Sequence, residues 1–315
     1  MPSVLITGAS GFVGGALAVH LTRLGYEVTG LSRRASSTIQ HDLSRPIPDS
    51  IGGYDAIVHC AALSSPWASP AAFHSNNVTA TRNLLDYATR SGCRRFVFIS
   101  SSSVYYQHGD QFNLSESTPL PDKPINQYAA TKREAELLVQ QSKLSTIILR
   151  PRAVFGPGDT VLFPRLLRAA SKGAMALFTR PDGLTPRGDL IYIDNLSHFI
   201  ERTIVSSETG CFNLTNAEPV DLYAFLNNVF TSLGLPPVRR RIPVGVGFAL
   251  AGALELASRT MFGYREPPIT RFGVEVLSYS KTFDVSKATA AFGPPPISVD
   301  EGVARFVSWQ KKQPA

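Results

Sequence analysis

Apolar and polar positions follow two different rhythms along this chain. Ser3-Val4-Leu5-Ile6-Thr7 is a short, nearly continuous apolar run that ends in Gly8, and it predicts a buried strand. Ala16 to Leu24 then keeps helical spacing, Gly25-Tyr26 makes a turn, and Glu27-Val28-Thr29-Gly30-Leu31 supplies a second strand. The alternation continues. Asp55 to Cys60 and Arg95 to Ser100 are apolar runs that predict strands, with a helical pattern from Asn76 to Arg90 between them. Gln127 to about Gln141 is rich in Ala, Leu, Lys, Glu and Gln and predicts a further helix. Strands alternating with helices in this way predict an α/β chain on a parallel sheet with helices on both faces.

At 315 residues the chain is long enough for one large α/β domain, or a domain with a smaller lobe. Its 43% hydrophobic and 17% charged content describes a folded globular protein. A net charge of +7 raises the question of nucleic acid, but the basic residues are scattered. Clusters such as Arg33-Arg34 and Arg239-Arg240-Arg241 are not a basic tail, and no nucleic-acid motif accompanies them. A modest affinity for anionic ligands or surfaces is the more cautious reading. Cys60, Cys93 and Cys211 are odd in number and lie in apolar runs, as reduced core residues of a cytoplasmic protein would. With a strand beginning at residue 3, no signal peptide is expected, and no metal-ligand set stands out. The apolar stretch Val244 to Ala257 is too short to span a bilayer and carries Glu255. It reads as a helix covering a pocket or packed on the core, with contact at a membrane interface as the other reading.

Candidate chemistry begins at the first turn. Gly8-Ala9-Ser10-Gly11-Phe12-Val13-Gly14 joins the first strand to the first helix, the context in which glycines let a backbone approach a pyrophosphate at a helix N-terminus. The spacing is Gly-x-x-Gly-x-x-Gly. At the end of the second strand stand Ser32-Arg33-Arg34, with no carboxylate to receive a ribose 2′-hydroxyl. Guanidinium groups suit a 2′-phosphate, so NADP(H) is favoured over NAD(H). Asp42, beside Leu43, is placed to face an adenine, and Ala61-Ala62 is small enough to let a cofactor lie close. His59 reads as a packed residue. Ser101, Ser102 and Ser103 end the 95–100 strand at the carboxyl edge of the sheet, where ligands bind in open α/β folds.

Tyr128 and Lys132 lie four apart on the 127–141 helix and so share a face. A nearby ammonium favours the phenolate and makes the phenol a usable proton donor or acceptor. By itself the pair is a weak signal, because this spacing occurs on many helices.

Six motifs in order give it weight: Thr7 to Gly14; His59-Cys60-Ala61-Ala62; Asn77-Val78-Thr79-Ala80-Thr81-Arg82-Asn83-Leu84-Leu85; Ser100 to Tyr105; Tyr128 to Lys132; and Leu149 to Asp159. Together they resemble the extended short-chain dehydrogenase/reductases, the superfamily that holds nucleotide-sugar epimerases and 3β-hydroxysteroid dehydrogenase-like enzymes. The resemblance implies a Rossmann-type doubly wound parallel sheet over residues 1–159, with 189–215 returning to it. A smaller C-terminal substrate-binding lobe would come from 160–188 and 216–315. It implies Tyr128 as acid/base, Lys132 lowering its pKa and holding the nicotinamide ribose, and Ser101 polarising the substrate oxygen. Ser103 would touch substrate, Asn77 would be a structural or relay residue, and Pro151 and Val154 would border the nicotinamide. A homodimer through the helices after Asn76 and Gln127 is also implied.

The branch is read from departures. Dehydratases of this superfamily carry Asp-Glu where this chain has Ser102-Ser103, and sugar epimerases commonly carry Asn where it has Ala153. The epimerases' later arginine falls on Gly188, with Arg187 one residue earlier as a substitute. The run Glu266 to Val274, then Ser280 to Ala288, resembles the 3β-hydroxysteroid dehydrogenase-like branch. The expectation is an NAD(P)-dependent oxidoreductase interconverting a secondary alcohol and a ketone on an apolar, steroid-like or β-keto substrate. The alternative is a nucleotide-sugar 4-epimerase with tightly bound NAD(P).

Overall fold

The computed structural model describes residues 2–313. Seven parallel strands form the main sheet, in the order Gly210–Leu214, Thr146–Pro151, Arg95–Ile99, Ala56–His59, Ser3–Thr7, Glu27–Ser32 and Ile39–Gln40. Chain order reverses beside Ser3–Thr7, which pairs with Glu27–Ser32 on one side and Ala56–His59 on the other. That reversal opens a crevice at the carboxyl ends of the strands, and the glycine turn lies in it.

Burial on both faces follows from the pleat, which sends successive side chains to opposite sides. Val4, Ile6, Val97 and Ile99 face one way, against Leu17 and Leu21 of the Phe12–Arg23 helix and Leu196, Phe199 and Ile200 of the Ile193–Val205 helix. Leu5, Phe96 and Phe98 face the other way, against Leu84, Tyr87 and Ala88 of the Ala80–Arg90 helix and Ala135 and Val139 of Gln127–Gln141. The doubly wound, Rossmann-type α/β sheet anticipated from the alternating runs is what forms.

One helix starts earlier than the hydrophobic pattern places it. Helical turns begin at Pro70, not Asn76, pass through a π-helical stretch at His74–Thr79 and continue as Ala80–Arg90. Ser69 Oγ accepts from Ala72 N–H at 3.2 Å and Pro70 occupies the first turn, a start signal carried by polar and proline residues instead of apolar spacing.

Beyond the sheet, a third cluster gathers Phe155, Phe163, Tyr192, Phe225, Phe230 and Phe306. A second, four-stranded sheet is made of Val220–Asp221, Arg187–Gly188, Lys281–Phe283 and Gln111–Leu114. Gln111–Leu114 comes from the first half of the chain yet pairs with Lys281–Phe283, so the two halves are interleaved, with Leu114 and Phe283 packed against Val104, Tyr105 and Tyr106.

Candidate functional site

The cradle is built where Ser3–Thr7 ends. Gly8 has φ +70, and a Cβ there would meet the backbone N and Cα of Ala61 at 2.8 Å. A Cβ on Gly14 would lie 2.4 Å from the Gly8 carbonyl oxygen. Only glycine suits either position, and the close approach leaves room above the turn. Gly11 caps the Phe12–Arg23 helix without a side-chain hydrogen bond, so the helix start depends on other partners for its N–H groups.

A cavity of about 220 Å³ lies against this turn. Gly8, Ser10, Gly11, Ser32, Arg33, Arg34, Asp42, Leu43, Ala61 and Ala62, all among the residues expected at a cofactor, line it. Leu31, His41, Ser44, Cys60, Asn76 and Ala80 complete the wall. Arg34 Nη1 donates to the Ser10 carbonyl at 3.1 Å, bridging strand end and turn, while Arg33 is exposed. The Asp42 carboxylate accepts the Ser44 N–H at 3.0 Å, and this bond, ahead of the Arg33 and Arg45 charges, holds its pKa below the usual range. Absent side chains at the glycines, a free helix start and two guanidinium groups fit a dinucleotide phosphate chain. Phe12, Val13, Gly14, Asn77, Tyr128, Lys132, Pro151 and Val154 do not line this cavity; Val13 and Val154 pack on the hydrophobic core.

Tyr128 and Lys132 sit at the start of Gln127–Gln141, where Asn126 Oδ1 caps the helix by accepting from Ala129 N–H at 2.8 Å. Burial raises the Tyr128 phenol above its ordinary pKa, and the nearby Ser64 and Ser101 hydroxyls oppose that rise. Lys132 stands one turn further along the same helix, its ammonium under the strand ends, donating to the Ile99 carbonyl at 2.6 Å and resting 4.1 Å from the Phe98 ring centroid. Burial lowers the Lys132 pKa to about 8 against the opposing pull of Glu136. Glu136 in turn forms a buried pair with Arg150, Nε to Oε1 at 2.9 Å.

Ser101 Oγ accepts the Ser103 N–H at 3.2 Å and lies 2.9 Å from Ser103 Oγ, so the two hydroxyls named from sequence are brought together. His59 is spent on packing. Its ring nitrogens bond Thr7 Oγ1 at 2.7 Å and Thr81 Oγ1 at 3.0 Å, and burial, then the Lys132 charge, lowers its pKa to about 3. Arg187 is exposed and donates to the Pro219 carbonyl at 3.2 Å.

Ser64 escaped the sequence reading. It lies in a loop without hydrophobic rhythm, and its one signal is its place two residues beyond the small pair Ala61-Ala62. Asn77 brings it in: its Oδ1 accepts the Leu63 N–H at 2.7 Å while its Nδ2 donates to Thr131 Oγ1 at 3.0 Å.

Known proteins carry the same framework. A 2-alkyl-3-oxoalkanoate reductase of Shewanella oneidensis is 31% identical over 96% of this chain and 84% of its own length. One of the same name from Stenotrophomonas maltophilia is 30% identical over 96% and 98%. A 3beta-hydroxysteroid-dehydrogenase/decarboxylase of Arabidopsis thaliana is 32% identical over 81% of this chain and 62% of its length. Among solved structures, MoeE5 in complex with UDP-glucose and NAD matches with a TM-score of 0.76 at 24% identity, over 98% of this chain and 99% of that one, a likeness of fold. The model of the NAD dependent epimerase/dehydratase family matches residues 4–213, from the first strand to the last of the main sheet. With the glycine cradle and the Tyr128 helix both inside that span, the chain belongs to this family, among the extended short-chain dehydrogenase/reductases.

Proposed function

We propose that this protein is an NAD(P)-dependent oxidoreductase that interconverts a secondary alcohol and a ketone, on an apolar substrate of the 3-oxo acid or steroid kind. The observation that carries the reading is the pair of Ser101 and Ser103 hydroxyls, 2.9 Å apart just after the Arg95–Ile99 strand, with the Tyr128 phenol near Ser101. Ser101 holds the substrate oxygen by a hydrogen bond, and Tyr128 moves the proton between its phenol and that oxygen. Lys132, anchored on Ile99, supplies positive charge beneath the site. When bound, the nicotinamide cofactor supplies or accepts the hydride. The residues to hold it are the Gly8–Gly14 turn and Arg33 and Arg34, which favour NADP(H) through its 2′-phosphate.

The substrate class is supported by the names of the relatives at 30% and 31% identity, both reductases of 2-alkyl-3-oxoalkanoates. Two features weigh against a nucleotide-sugar epimerase. Ala153 offers no polar side chain where a diphosphate clamp would stand, and the guanidinium of Arg187 is bonded to the Pro219 carbonyl.

The test is NADPH consumption by the purified protein with a long-chain 2-alkyl-3-oxo acid, a 3-ketosteroid, and UDP-glucose in parallel. Oxidation of NADPH with a carbonyl substrate, lost in Tyr128→Phe, is the expected result. Interconversion of UDP-glucose and UDP-galactose without net cofactor turnover would replace this reading with the epimerase.

A further inference from the structure

The helix Val244–Met261 reverses the usual arrangement of a surface helix. Its buried positions are Gly247, Ala251, Glu255 and Ser258, small or polar, whereas its outward positions through Leu256 are apolar. Val246, Leu250 and Leu256 are 55%, 49% and 62% exposed, with Gly245, Ala249 and Ala253 exposed between them. The stripe continues into Met261 and Phe262, 74% and 59% exposed. Glu255, the one charge between Val244 and Ser258, points inward and accepts from both the backbone N–H and Nε of Arg271 at 2.8 Å. A helix on a protein surface ordinarily sends its charges outward, and a continuous exposed apolar face marks an interaction site.

What covers it follows from the charges at its two ends. Arg239, Arg240 and Arg241 lead into the helix and are exposed. Arg259 and Arg265 stand exposed at its far end, Arg259 lying 5.0 Å over the Trp67 ring. The nearby carboxylates are already engaged, Glu255 with Arg271 and Glu266 with Arg165. Among the described residues these five arginines have no ion-pair partner. A second copy is a poor occupant, because antiparallel pairing of the stripe about a two-fold axis would set arginines against arginines. An apolar stripe with cations at both ends matches the acyl region and headgroups of an anionic bilayer.

We propose that Val244–Phe262, with its flanking arginines, docks the protein in the plane of an anionic phospholipid surface. Among the described residues no helix is long and apolar enough to cross a membrane, so the contact is peripheral. The docked face adjoins the site. Trp67 Nε1 donates to Ser258 Oγ at 2.8 Å and Ser65 Oγ to Glu266 Oε2 at 3.4 Å, which ties the loop after Ser64 to this helix and to the turn that follows it. An apolar substrate held in the bilayer would then reach Tyr128 without crossing water. That consequence rests on the reductase reading; the docking does not, and vesicle binding measures it with no substrate present.

The experiment is flotation of the full chain with vesicles of phosphatidylcholine alone and of phosphatidylcholine mixed with phosphatidylglycerol, beside sedimentation velocity without lipid. The expected result is a preference of about tenfold or more for the anionic vesicles, weakened by salt and abolished in Leu250→Asp/Leu256→Asp. Should the aspartates impair folding, Arg239→Ser/Arg240→Ser/Arg241→Ser leaves the helix intact and is expected to lose the anionic preference. Absence of flotation with either vesicle, or flotation that both variants retain, overturns the proposal. So does a dimer in solution that the aspartates dissolve, which would make the stripe a contact between copies.

Discussion

Asn77 Oδ1 accepts the Leu63 N–H at 2.7 Å, and through this bond a buried helix residue holds the loop that carries Ser64 against the helix that carries Tyr128. Asn77→Leu would leave the Leu63 N–H unpaired, at a cost of about 1–3 kcal/mol that thermal denaturation would read. Turnover is expected to fall by about tenfold or more as Ser64 loses its position, with cofactor affinity little changed. A variant that melts early yet turns over normally would reduce Asn77 to a purely structural residue.

Tyr128→Phe is expected to lower turnover by about 10²–10⁴-fold while cofactor titration still shows binding. Ser64→Ala tests the second hydroxyl on the phenol through pH. The Ser64 hydroxyl lowers the Tyr128 pKa, so its removal raises it further. Alcohol oxidation needs the phenolate and speeds up as pH rises through that pKa, so the rising limb should move to higher pH in the variant. An unmoved limb would separate Ser64 from proton transfer.

Replacing Arg33 and Arg34 together by Ala is expected to weaken NADPH by about ten- to hundredfold, the value of one charge-assisted hydrogen bond, and NADH far less. Arg34 is also bonded to Ser10, so part of any common loss comes from the turn itself. Dissociation constants for both cofactors from fluorescence titration decide the matter. Equal loss for both would remove the 2′-phosphate from the argument.

Gly8→Ala combines two penalties. A left-handed φ costs a non-glycine residue about 1–2 kcal/mol, and the added Cβ would press on Ala61 at 2.8 Å. Gly173, with φ +62 and nothing within 4 Å of an added Cβ, separates them. Gly173→Ala is expected to lower the melting temperature slightly, and Gly8→Ala to lower it further and to lose dinucleotide binding. Similar shifts in the two variants would mean that the turn yields to the methyl group.

His59 makes stability sensitive to acid. Its folded pKa of about 3 lies below its ordinary 6.5, so between these values the unfolded chain binds a proton that the folded protein excludes. Stability from this group is therefore complete above pH 6.5 and declines as pH falls toward 3. Melting temperatures of the wild type should drop more steeply than those of His59→Gln between pH 6.5 and 4. Parallel profiles would place the acid sensitivity elsewhere.

Local chemistry made much of this protein legible in advance. Period-two burial, helical spacing and glycine turns are properties of neighbouring residues, so the sheet, its helices and ten residues that line the cavity at the glycine turn could be read along the chain. Order also mattered: Tyr128 and Lys132 acquired meaning from the motifs around them. Other features depend on residues far apart in sequence. Ser64 reaches Tyr128 because Asn77 folds its loop inward, and Lys132 turns to the Ile99 carbonyl because burial beneath the strand ends demands a partner for its charge. The apolar stretch after Pro243 looked suited to a core or a pocket cover. Its direction was decided by Glu255, whose pairing with Arg271 turns the polar side inward and leaves Val246, Leu250 and Leu256 outside. Hydropathy belongs to the sequence, but which face of a helix is buried depends on the partners that tertiary structure brings to it.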